Sequence, residues 1–377
     1  MKRAVVYEPW AKGLVHGQFL KCFLIMISEI YDEVIFVGDD SVIIELKKND
    51  LKNVSFKSVS IVNCETLKGK FTSLLKEKKN TKLLKNISNN NDIFITCGIP
   101  YTIYWCNKLL KANKLYYVMH GGLEYVEKKI SPIKLYYYLK KQLNNLSENS
   151  KLIVLGDSIK DNLTKKLEFL KDRIISIDHP YLSSDSFENK NEKKSNNSIK
   201  IGTIGVATLE KGNMDIIDIS KFLKQRKFDN IELYHVGKIN AELQIIKNYV
   251  HLPFDSQDLI ESSSFNEEIH KLDYFLFLYP SSNYKYTASG ALFDAFVHGK
   301  PIVAIKNDFF EYFFNKYPGI GFLYDSIEDL CVGILKLPQV DSFEYNNMVK
   351  MCKITLQNVS PHVLAETLKC KLGDDRC

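Results

Sequence analysis

The chain has no run of about 18 apolar residues, the length a membrane-crossing helix needs. Its longest candidate, FLKCFLIMISEIY, is broken by Lys21 and Glu29 and reads as a buried helix. It also lacks an apolar signal core. MKRAVVYEP passes directly from basic residues into a strand pattern, so a cytoplasmic protein, at most peripheral at the inner face of a membrane, is expected. The eight cysteines include no C-x-x-C pair and no His-Cys cluster at zinc spacing, which makes most of them small core residues. Arginine occurs at only four positions, so the net charge of +6 is nearly all lysine. Without an arginine-rich segment or a base-reading module, nucleic acid is not an expected partner. No strand-helix turn carries the full G-x-G-x-x-G spacing followed by a ribose acid, which argues against a nicotinamide dehydrogenase. No internal repeat is found.

What is present is alternation. The chain's 377 residues, 45% of them hydrophobic, are enough for two cores. In the first half RAVVYEP, EVIFVGD, VSFKSVSIV, DIFITCGIP, LYYVMHGG and KLIVLGDS read as strands, with helical stretches between them. That order implies βαβ units and parallel sheets covered by helices on both faces. SSDSFENKNEKKSNNS, residues 183–198, has no apolar periodicity and reads as an exposed linker. Beyond it the pattern restarts with IKIGTIG, IELYHVG, YVHLPF, YFLFLYP, PIVAI and GFLYD. The expected fold is therefore α/β, with two Rossmann-like domains whose parallel sheets face a central cleft. Domain boundaries are expected at 1–182 and 199–359. SPHVLAETLKCKL carries a helix start, with Ser360 as N-cap and Pro361 at the first helical position, and the helix of about 360–377 is expected to pack back on the first domain.

Two stretches carry the chemistry. IGTIGVATLEKG places Gly202, Gly205 and Lys211-Gly212 after a strand, where glycine admits close backbone approach and Lys211 offers a point charge for phosphate. YKYTASGALFDAFVHGKPIVA runs from a polar turn into a helix whose Leu292, Phe293 and Phe296 share one buried stripe. Ser289 is the expected N-cap. Gly290 leaves first-turn amides uncovered, a terminus that favours an anion by about 0.3 to 1 kcal/mol. The turn is suited to a diphosphate, and Asp294, one turn into the helix, to ribose hydroxyls.

In order and spacing, YPSSNYKYTASGALFDAFVHGKPIVA, GVATLEKG and the first-strand loop AKGLVHGQF resemble the GT-B fold glycosyltransferases, group 1 or family 4-like in their donor-site signature. The resemblance implies a metal-independent enzyme that moves a sugar from a nucleotide-diphosphate donor, UDP- or GDP-linked, to a glycan or lipid-linked acceptor in cell-surface polysaccharide synthesis. No further cofactor is implied. Lys211 would contact the diphosphate, Ser289 and Gly290 would offer it backbone amides, and Asp294 would stand where the family has its ribose-binding glutamate. Gly205 belongs to the same glycine loop, and Gly237 and the HLPF segment with Pro253 would flank the nucleobase. Gly17 would approach the phosphates from the first domain. The retaining branch has a glutamate eight residues before the ribose acid, where this chain has Tyr286, and an arginine before the lysine that GVATLEKG lacks. Lys285 would replace that charge, and the anomeric outcome stays open.

On the acceptor side, YYVMHGGLEY places His120 after a strand and before two glycines, where a neutral imidazole would orient a hydroxyl or act as base. Glu124 and Glu8 rank below it as carboxylate bases. His16 would contact phosphate or acceptor, and His179 takes a structural role. No D-x-D triplet occurs, so the acidic metal cradle of the other major glycosyltransferase fold is missing and no metal is expected. VEKKISPIKLYYYLKKQL mixes lysines with Tyr136, Tyr137 and Tyr138, which suits peripheral contact with anionic lipid. Two alternatives remain: a nucleotide-sugar epimerase of the same fold, and a member that binds nucleotide or glycan without chemistry.

Overall fold

The computed structural model describes residues 1–13, 15–61, 67–88, 91–110, 113–127, 138–182, 198–254 and 262–373. The linker expected at 183–198 lies outside the described residues except for Ser198, as do Tyr136 and Tyr137 of the basic segment. The chain divides into two compact units. One comprises Met1–Leu182, Tyr286–Ala288 and Val359–Cys377, the other Ser183–Lys285 and Ser289–Asn358.

The first unit is built on strands β1 (Arg3–Tyr7), β2 (Glu33–Gly38), β3 (Val54–Ser58), β4 (Asp92–Thr96), β5 (Leu115–Met119), β6 (Ser150–Val154) and β7 (Ile174–Ser176). They form one parallel sheet in the order β3-β2-β1-β4-β5-β6-β7. The inner strands are apolar without alternation because helices cover both faces. LYYVM of β5 is buried at every position. The helix Gly17–Ile30 buries Phe19, Phe23 and Ile27, and the helix Pro361–Lys371 packs against it. Ser360 caps that second helix by accepting from the Val363 amide, with Pro361 at its first turn. Glu29 pairs with His362, and Lys371 Nζ donates to the Ser176 carbonyl at 2.7 Å.

A polar cluster sits inside this core. The Tyr7 hydroxyl donates to Glu77 Oε2 at 2.9 Å, and Asn80 Nδ2 donates to the Tyr7 oxygen at 3.3 Å. Glu77 is 3% exposed, and its Oε1 has no hydrogen-bond partner. Burial pushes its carboxyl up to about 8, with the bond from Tyr7 opposing and the Glu8 charge adding slightly.

The second unit has β8 (Ile199–Ile204), β9 (Ile231–Val236), β10 (Tyr274–Phe277), β11 (Ile302–Ile305) and β12 (Gly321–Tyr324), all parallel, in the order β12-β11-β10-β8-β9. The expected strand YVHLPF is reduced to one bridge. His251 N donates to the Leu233 carbonyl at 2.8 Å, and the His251 carbonyl accepts from His235 N at 3.0 Å. Pro253, two residues on, has no N–H with which to extend that ladder. Leu292, Phe293 and Phe296 of the helix Gly290–Val297 are fully buried, as their spacing predicts. Cys22, Cys106, Cys331 and Cys352 are buried free thiols, whereas Cys370 is disulfide-bonded. No helix among the described residues is long and apolar enough to cross a membrane.

In each sheet the strand order reverses once, between β1 and β4 in the first unit and between β8 and β10 in the second. Crossovers on the two sides of such a point leave in opposite directions and open a crevice at the carboxyl ends of the strands, where ligands of open α/β sheets bind.

Candidate functional site

In the first unit the reversal point is spanned by Glu8, which directly follows β1 and is fully buried. Its Oε1 accepts from the amides of Trp10 and Ala11 at 2.8 and 2.9 Å, and its Oε2 accepts from Thr96 Oγ1, at the end of β4, at 2.9 Å. The carboxylate thus fastens the loop after β1 to the neighbouring strand. That loop ends at His16, which adopts a left-handed backbone (φ 60°) immediately before the helix Gly17–Ile30. Non-glycine residues are uncommon in that region, histidine less so than most, and such conformations cluster at functional positions. It sets His16 Nδ1 3.7 Å from Glu8 Oε2. Gly17 opens the helix with empty space where a side chain would begin.

His120 follows β5 and joins this group. Its ring stacks on Phe19 (4.2 Å between centroids, 21° between planes) and meets His16 edge-on at 4.6 Å. Its Nε2 lies 3.2 Å from Nε2 of His179, the residue three beyond β7. Burial, with the neighbouring His179 and His16, holds the His120 imidazole well below the ordinary histidine value. Burial likewise lowers His179 to about 4. Burial thus favours the neutral form of both rings. The structure therefore brings His16 and His120 together. It places Glu124 in the short turn Leu123–Val126, where its side chain is exposed. Glu8, His16 and Cys97 also bring their ligand atoms within 4.8 Å of one another, although three hydrogen bonds already occupy Glu8.

In the second unit the reversal point is formed by the loop after β8 and the turn and helix after β10. Gly205, at φ 78°, directly follows β8, and Lys211 Nζ lies 3.8 Å from where its side chain would start. Lys211 Nζ donates to the Val206 carbonyl at 3.1 Å. Burial lowers its ammonium below the usual lysine value and Asp294 pulls it back, so the expected phosphate and ribose residues are electrostatic neighbours. Gly212 has φ 67°, and a Cβ there would sit 1.9 Å from the Leu278 carbonyl beyond β10. Gly237, at φ 147°, would place a Cβ 1.9 Å from the Gly205 carbonyl. The two glycines let the loops after β8, β9 and β10 close on one another.

Ser289 occupies the N-cap position of the helix Gly290–Val297 but makes no capping bond with its side chain. Its hydroxyl meets that of Tyr279 at 3.2 Å instead. The expected side-chain cap is thus replaced by a contact across ten residues, and Gly290 is exposed with open space around its α-carbon. Two asparagines that sequence reasoning passed over hold the loops: Asn213 Oδ1 accepts from Thr208 N at 3.1 Å, and Asn283 Nδ2 donates to the Glu210 carbonyl at 2.7 Å. Their signal was the turn preference of asparagine between periodic segments.

Lys285 is exposed, and Pro253 follows the His251 bridge beside β9. Tyr286 belongs to the first unit, where it is 5% exposed, packs in the core and donates its hydroxyl to Glu127 Oε1 at 3.0 Å. A cavity of about 380 Å³ lies elsewhere in the second unit, with Lys224, Phe228, Tyr249 and His251 among its lining residues.

No family model matches the chain, and no curated protein does. Solved structures do. WaaG, a glycosyltransferase involved in lipopolysaccharide biosynthesis, superposes with a TM-score of 0.64 at 14% identity, covering 98% of this chain and 99% of its own. HepE of Anabaena, in complex with UDP and glucose, gives 0.64 at 12% identity over 98% and 99% of the two chains. An E. coli protein bound with UDP-2-fluoro glucose gives 0.65 at 10% identity over the same shares. The chain has the GT-B fold. At these identities the GT-B likeness is one of architecture, carried by two Rossmann-like units with parallel sheets of seven and five strands.

Proposed function

We propose that the protein is a glycosyltransferase of cell-surface polysaccharide synthesis, which moves a sugar from a nucleoside-diphosphate donor to a glycan or lipid-linked acceptor. The observation that carries this reading is the reversal point of the second unit, where Lys211, Asp294 and the exposed helix start at Gly290 gather. Lys211 and the amides of Ser289 and Gly290 stabilise the leaving diphosphate by fixed charge and dipoles, with no metal in this reading. Asp294 takes the ribose, and Gly205 and Gly237 admit the nucleotide to the backbone. UDP is favoured as the nucleotide because the HepE and E. coli neighbours hold it. In the first unit His120 accepts the proton of the acceptor hydroxyl, with His16 against the acceptor and Glu124 at the rim.

The test is release of nucleoside diphosphate across UDP- and GDP-linked sugars with varied glycan and lipid-linked acceptors, with and without chelator. Acceptor-dependent release that survives chelation supports the reading. Absence of release with every donor, or interconversion of the donor sugar without acceptor, overturns it.

A further inference from the structure

Two histidines, one half-buried and one buried, lie in series in the first unit, and only one of them has a role in the reading above. His179 Nδ1 is 3.0 Å from the carbonyl oxygen of Pro180. A carbonyl oxygen can only accept, so Nδ1 carries the proton. A neutral ring then has only a lone pair at Nε2. That atom lies 3.2 Å from His120 Nε2, and two ring nitrogens bond at this distance only if one of them bears hydrogen. The hydrogen therefore sits on His120 Nε2, and the lone pair of His120 is left at Nδ1. Phe19 stacked on one face and His16 at the edge oppose rotation of the ring away from this pose.

From this geometry we infer that His179 is a positioning residue: through the relay from the Pro180 carbonyl it fixes His120 as the Nε2–H tautomer, so that His120 Nδ1 is the atom that accepts a hydroxyl proton. The inference rests on the transfer reading for the importance of that proton, but not for the tautomer itself. When His120 Nδ1 takes a proton, the ring becomes a cation whose Nε2–H already points at a lone pair, and His179 stabilises the charge without moving. The same relay leaves His179 unable to serve as the base, since its only lone pair is occupied by His120.

The experiment is ring nitrogen NMR on the full chain labelled with ¹⁵N-histidine, with His120 assigned by its loss in His120→Ala. The wild-type spectrum is expected to show His120 protonated at Nε2 and bare at Nδ1. In His179→Phe, which keeps a ring but offers no lone pair, both tautomers should appear. His179→Gln, whose amide oxygen can accept from His120 Nε2, should restore the single form. If transfer is observed, kcat is expected to fall about tenfold or more in His179→Phe with KM little changed, and to recover in His179→Gln, within the range of general-base effects. A wild-type His120 protonated at Nδ1, or an unchanged tautomer in a folded His179→Phe protein, overturns the inference. The expected spectra without turnover on any donor would leave the relay standing and remove the transferase reading instead.

Discussion

Replacing Glu77 by glutamine removes a titration from the core of the first unit while keeping the side chain's shape. With the folded carboxyl at about 8 and an ordinary value of 4.5, the folded state holds this proton more tightly than the unfolded chain. A raised folded value contributes stability that is fully present below pH 4.5 and is lost as the pH climbs through 8. The separation corresponds to about 5 kcal/mol, from roughly 1.4 kcal/mol for each unit of pKa. That is comparable with the whole stability of many domains. Glu77→Gln cannot ionise, so its contribution stays level over the same interval. Both tryptophans, Trp10 and Trp105, lie in the first unit, so intrinsic fluorescence during urea unfolding reports on it selectively. Wild type and variant should unfold at similar urea near pH 5, and the wild type should fall behind by several kcal/mol near pH 9. Parallel profiles across that range would refute the reasoning, because they would mean that Glu77 is already ionised in the folded core or reaches water.

Three further outcomes follow from the second unit and the Tyr286 contact. Gly212→Ala must relieve a Cβ 1.9 Å from the Leu278 carbonyl at a left-handed φ, so thermal melting should show a loss of more than about 2 kcal/mol. Lys211→Ala should weaken binding of a nucleoside diphosphate by about tenfold or more in calorimetry, as expected when a charged partner is removed, while losing its bond to the Val206 carbonyl should cost no more than about 1 kcal/mol of stability without ligand. Tyr286→Phe, which loses one bond to a partly exposed Glu127, should cost no more than about 1 kcal/mol of stability and leave nucleotide affinity as in the wild type. A tenfold loss of affinity in that variant would return Tyr286 to the donor site.

The α/β order was legible because buried parallel strands read as unbroken apolar runs and because the stripe of Leu292, Phe293 and Phe296 has helical period. The expected neighbours Lys211 and Asp294 come from separate motifs that the sheet order brings to one reversal point. What escaped was long-range. Nothing near Gly212 in the sequence announces the Leu278 carbonyl, 66 residues away, that forbids a side chain there. His120 and His179 are 59 residues apart and meet because β5, β6 and β7 are consecutive in the sheet. Ser289 looked like a helix cap because local pattern favours that bond, but the Tyr279 hydroxyl competes for it from the end of the preceding strand. Tyr286 was grouped with its sequence neighbours although its hydroxyl has a partner at Glu127.

Because residues 359–377 complete the unit that begins at residue 1, synthesis and folding of that unit are separated in time. At about 5 to 20 residues per second, roughly 10 to 35 seconds pass between the emergence of residue 182 and that of residue 359. Throughout that interval the flank of the helix Gly17–Ile30 that will meet the helix Pro361–Lys371 is bare, an apolar surface open to association with neighbouring chains.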